Sequence, residues 1–61
     1  MKLLIVDDED IIREGIVEKI AWKENGFTLT TPGKNGLDAK KIIERERPDI
    51  VLTDIRMPGM G

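Results

Sequence analysis

Two short, uninterrupted apolar runs constrain this chain most. Leu3-Leu4-Ile5-Val6 lies near the start and Ile50-Val51-Leu52 near the end, and each is followed within two residues by an aspartate. A run that is apolar at every position, rather than at every other one, suits a strand buried on both faces, as in a parallel sheet. Two helical stripes and an alternating stretch lie between the runs. Ile12, Ile16 and Ile20, widened by Ile11, follow the 3.6-residue period over about Glu9–Trp22. Gly15 inside this helix implies a close approach to the sheet. Asn25-Gly26 reads as a left-handed helix exit. Phe27-Thr28-Leu29-Thr30-Thr31 alternates as a half-buried strand and stops at Pro32-Gly33. Asn35 is a good N-cap for a helix whose stripe is Leu37, Ala39, Ile42 and Ile43. Pro48 ends that helix, and Asp49–Ile55 forms the last strand. The order is β-α-β-α-β, which implies a parallel three-stranded sheet with right-handed crossovers.

Size and composition limit what such a unit can do. A chain of 61 residues hides only about 60% of the surface of its unfolded form. It has no cysteine and no histidine, so disulfides, thiolate sites and the commonest zinc ligand are excluded. Ten basic residues stand against twelve acidic ones, a net charge of −2, which does not suit a nucleic-acid binder. Trp22 and Phe27 are too few aromatics for a base-stacking platform. No apolar run approaches the roughly 20 residues that cross a bilayer, and the residues before Val6 are too few for a signal peptide. The absence of cysteine fits a cytoplasmic protein.

Open α/β sheets place ligand sites just beyond the carboxyl ends of their strands. Asp7 and Asp8 follow the first strand, and Asp54 follows the apolar part of the third. If those strands are neighbours, the three carboxylates face one crevice, and oxygen-only ligation points to Mg²⁺. The bland alternative is that Asp7-Asp8-Glu9-Asp10 caps a helix, which is ordinary for acids. Asp54 resists that reading, because an acid in an apolar strand needs a partner or a task. Lys34-Asn35-Gly36 reads as turn and cap rather than phosphate loop, and Trp22 as a helix-end anchor.

Leu4-Ile5-Val6-Asp7-Asp8-Glu9 resembles the opening of a response-regulator receiver domain. Pro48-Asp49-Ile50-Val51-Leu52-Thr53-Asp54-Ile55-Arg56-Met57-Pro58-Gly59-Met60 looks like that family's phosphoacceptor strand and following loop. Ile20-Ala21-Trp22 through Gly26-Phe27 further resembles receivers attached to AraC-type DNA-binding domains. The resemblance implies a flavodoxin-like (CheY-like) α/β fold with strand order second, first, third. It implies Asp54 as the phosphoacceptor for a histidine kinase. Asp8 would ligate Mg²⁺ directly, Asp7 through water, and Arg56 through its backbone carbonyl.

The match covers the first half of a receiver, so residues 1–61 are expected to be a truncated receiver domain without an output domain. The Thr or Ser and the Lys that contact the phosphoryl group in this family belong to two later strands. Thr53 points to the opposite face from Asp54 and does not replace them. Lys40 stands where a buried Leu is usual, and Met60-Gly61 lacks the intervening Asp. The expectation is a self-associating half-domain, not an enzyme, with weak Mg²⁺ binding and little or no phosphotransfer. Its partner would be a second copy, joined through the edge of strand 49–55 or by exchange of a β-α unit. Neither nucleic acid nor membrane is expected to bind this segment. The alternatives are a functional phosphoacceptor receiver, and a binding module whose open edge captures the missing half.

Overall fold

The computed structural model describes residues 1–53. Strand β1 (Lys2–Val6) leads into helix α1 (Asp10–Lys19); then come a 3₁₀ turn (Lys23–Asn25), strand β2 (Thr28–Leu29), helix α2 (Gly36–Glu46) and strand β3 (Ile50–Thr53). The sheet order is β2-β1-β3 and both pairings are parallel. The expected α/β architecture and strand order are therefore present. β1 is central, and Leu3, Leu4, Ile5 and Val6 are all buried, which is why its sequence shows no alternation.

The core is Leu4, Val6, Ala39 and Ile42, where α2 packs on one face of β1. Gly33 completes that face. A Cβ there would already touch Ile42, Val6 and the backbone of Ala39 at 3.5–3.6 Å. α2 begins as its sequence implies. The Asn35 side chain accepts a hydrogen bond from the Asp38 N–H at 2.8 Å, and Asp38 accepts one from the Lys34 N–H at 3.0 Å. The helix ends with Arg47 at φ 51°, whose N–H donates to the Ile43 carbonyl, just before Pro48.

Several expectations need correction. α1 stops at Lys19 rather than Trp22, and Ile20 is already extended. The Trp22 indole donates to the Ile16 carbonyl at 2.9 Å. It thus satisfies one of the carbonyls that a helix end leaves without an intrahelical partner. Trp22 also meets the Phe27 ring edge-on, with centroids 5.9 Å apart, so it does anchor the helix end. Gly26 takes φ 88° as expected. Gly15 makes no close approach, since a Cβ there would meet nothing within 4 Å. The isoleucine stripe of α1 is not core: Ile11, Ile12 and Ile20 are exposed. Leu37 and Ile43 are exposed too, which leaves Ala39 and Ile42 as the buried part of the α2 stripe.

β2 is shorter than the 27–31 stretch expected. Beyond Leu29 the chain still follows β1, because the N–H groups of Thr30 and Gly33 donate to the Leu3 and Ile5 carbonyls at 2.9 Å. Asp49 lies outside β3 but is tied to it: its N–H donates to the Lys2 carbonyl, and its carboxylate accepts from the Lys2 N–H. Ile55, expected in the last strand, lies outside the described residues.

Candidate functional site

β1 and β3 run in register from Leu3↔Ile50 to Val6↔Thr53. The residues before Asp7 and before Asp54 are therefore paired across neighbouring parallel strands. The adjacency of the two strands, on which the expectation of a shared crevice depends, is present. Asp54 and Arg56 themselves lie outside the described residues.

Asp7 is buried, with 5% of its surface exposed. A carboxylate in that setting needs partners. Its Oδ1 accepts a hydrogen bond from the Glu9 N–H at 2.9 Å, the Asx turn by which aspartate reverses its own backbone. Its N–H donates to the Gly33 carbonyl at 3.0 Å. Its carbonyl accepts from Arg13 Nη1 at 2.7 Å. Asp8, Glu9 and Asp10 are exposed, and Asp10 forms an ion pair with Arg13. A hollow of about 250 Å³ opens beside Asp7, bounded by Ile5, Val6, Ile16, Leu52 and Thr53. The Thr53 hydroxyl is buried there without a hydrogen-bond partner among the described residues.

The described residues alone do not assemble a cation site. No group of three acidic, His or Cys side chains comes together among them. Two of the expected ligands, Asp7 and Asp8, are adjacent at the end of β1. Among the described residues the Asp7 side chain accepts its one hydrogen bond at Oδ1, from the Glu9 N–H. Carboxylate donors without histidine or thiolate fit a hard cation such as Mg²⁺.

A larger hollow of about 440 Å³ lies where α1 ends and β2 begins, lined by Val17, Ile20, Trp22, Phe27 and Leu29 among others. Neither Asp7 nor Asp8 lines it. Among the described residues no helix is long and apolar enough to cross a membrane.

Residues 3–61 match the response regulator receiver domain. The chain belongs to this family. The receiver domain is similar to an uncharacterized response regulatory protein of Staphylococcus epidermidis, 44% identical over 57 residues. It is also 44% identical over 57 residues to the transcriptional regulatory protein HptR of Staphylococcus aureus. Each match covers 93% of this chain and 23% of the relative, so the chain spans about a quarter of the length of the curated relatives it matches. This is a receiver domain of two-component signalling, and its three parallel strands and two helices are the first elements of the CheY-like fold.

Two residues of this receiver domain were not singled out from the sequence. Arg13 binds the carbonyl of Asp7, and its only sequence signal is the i,i+3 spacing from Asp10. Glu46 accepts from the Thr31 N–H at 3.2 Å, joining the end of α2 to the segment after β2. Hydrogen bonding from Thr31 holds the Glu46 carboxyl below the usual carboxylate range, helped by Arg45.

Proposed function

We propose that this receiver domain takes a phosphoryl group on Asp54 from the phosphohistidine of a histidine kinase. Mg²⁺ would be held by Asp7, Asp8, Asp54 and the backbone carbonyl of Arg56. The observation that carries this reading is the pairing of Val6 with Thr53, one residue before Asp7 and Asp54 on neighbouring parallel strands. One Asp54 carboxylate oxygen bonds to phosphorus while the donor's bond to phosphorus breaks in line. The ion, when bound, neutralises charge on the phosphoryl oxygens. Asp7 is held by its Glu9 and Arg13 contacts, and Asp8 stands beside it with an exposed side chain.

The resemblance assigns two phosphoryl-contacting residues to later strands, outside these 61 residues. Losing one preorganised donor to a developing anion costs about 10²–10³ in rate. Residues 1–61 alone should therefore phosphorylate slowly and bind Mg²⁺ weakly. Isothermal titration of the parent chain, Asp8→Ala and Asp54→Asn with Mg²⁺ tests the site. The parent should release heat and both variants less. Equal heats from all three would remove the site. By analogy with the transcriptional regulatory protein HptR, the signal carried by phosphorylation would be control of transcription.

A second reading is self-association of the 61-residue chain, and one observation favours it. β3 is the edge of the described sheet, and Ile50, Val51 and Leu52 keep 40%, 42% and 46% of their surface exposed. Unpaired edges template further strand pairing. Two copies joined antiparallel about a two-fold axis, β3 to β3, would make one six-stranded sheet. Exchange of a β-α unit would serve the same end. Melting that is independent of concentration, with a monomer mass by sedimentation, would rule this out.

A further inference from the structure

We propose that Arg13 is a positioning residue for the cation site, acting through the backbone of Asp7 and Asp8. The proposal rests on the Mg²⁺ reading above and assigns a new residue to it. Arg13 lies on the first turns of α1, and its side chain keeps only 13% of its exposure. One guanidinium nitrogen donates to the Asp7 carbonyl at 2.7 Å. The other pairs with the Asp10 carboxylate.

The Asp7 carbonyl belongs to the peptide plane that joins Asp7 to Asp8. That plane is rigid, so fixing the carbonyl also fixes the direction of the Asp8 N–H and Cα. On the far side of Asp8, the Glu9 N–H is held by Asp7 Oδ1 at 2.9 Å. Asp8 is thus clamped by its backbone on both sides while its side chain stays exposed. The arrangement also sorts the four consecutive acids. Among the described residues one Asp7 oxygen and one Asp10 oxygen are engaged, while the Asp8 and Glu9 carboxylates are exposed and Asp8 is the one whose backbone is held on both sides.

A planar fork suits this task, because it serves two acceptors from one fixed geometry. Lysine offers the charge without the fork. The sign of the effect separates positioning from charge. A nearby cation that did nothing but repel would weaken Mg²⁺ binding, and its removal would tighten it. A clamp on a ligand's backbone does the reverse, and such outer partners are typically worth 10–100-fold in metal affinity.

The test is Mg²⁺ titration by calorimetry of the 61-residue parent, Arg13→Gln and Arg13→Lys, with thermal melts and amide NMR spectra in metal-free buffer. Arg13→Gln should bind Mg²⁺ about 10–100-fold more weakly. Its metal-free amide shifts should change at Asp8 and Glu9 more than in β1 or α2. Arg13→Lys, which keeps the charge and serves as the second variant should Arg13→Gln fail to fold, should recover little of the affinity. Unchanged or tighter Mg²⁺ binding by the folded variants overturns the proposal, even if their melts fall. A parent chain that shows no Mg²⁺ heat overturns the site reading, and this proposal with it.

Discussion

Replacing Gly15 with alanine should stabilise the protein. Gly15 lies in the interior of α1, and glycine there costs about 0.5–1 kcal/mol relative to alanine through backbone entropy. The sequence alone gives that cost a purpose, a close approach to the sheet. The structure removes the purpose: an added Cβ meets no atom within 4 Å, so the methyl group brings neither clash nor packing. The full propensity difference should therefore appear. For a domain of this size 1 kcal/mol moves Tm by about 4–8 °C, so Gly15→Ala should raise it by about 2–8 °C. Circular dichroism melts of parent and variant at two protein concentrations provide the assay. A lower Tm would refute the reasoning, because it would mean that another surface occupies the space beside Gly15. If the fall appeared only at the higher concentration, that surface would be a second copy.

The buried and exposed isoleucines should separate sharply. Ile42 is 2% exposed inside the Leu4–Val6–Ala39 cluster, so Ile42→Ala should cost about 2–5 kcal/mol and leave little folded protein by chemical denaturation. Ile11 is 86% exposed, and Ile11→Ala should stay within about 0.5 kcal/mol by the same assay. Glu46 gives a pH signature. Its folded pKa is lowered by the Thr31 hydrogen bonds, so its contribution is present at neutral pH and is lost as pH falls below the ordinary carboxylate range through the lowered value. Glu46→Gln should flatten that limb of Tm against pH, and an unchanged acid limb would show the Thr31 contact to be inert.

What the sequence made legible depended on how local its cause was. The run Leu3–Val6 could be read as a doubly buried strand because burial on both faces leaves a mark at every position. Asn35 and Gly26 could be read because capping and a left-handed exit are settled within a few residues. The order β2-β1-β3 came from the family resemblance, not from periodicity. The failures share another cause. A helical stripe shows that a face exists but not what covers it, so the periodicity of Ile11, Ile12, Ile20 and Leu37 does not disclose that these residues are exposed. α1 ends early through a bond from Trp22 back to Ile16, a side-chain contact that no helix propensity encodes. The proposed site draws on Asp7 and Asp8 through their place after β1. Arg13 was not legible, because its partner is a carbonyl, and every residue has one. Asp54 and Arg56 rest on the resemblance and on the register of β3.

The most direct test of the phosphoacceptor assignment is intact mass after incubation with acetyl phosphate. The parent chain, Asp54→Asn and Asp8→Ala should be compared with and without Mg²⁺. One phosphoryl group should be added slowly to the parent, only with Mg²⁺ present, more slowly still to Asp8→Ala, and not at all to Asp54→Asn. Phosphorylation that persists in Asp54→Asn, or that proceeds equally without Mg²⁺, would contradict the assignment.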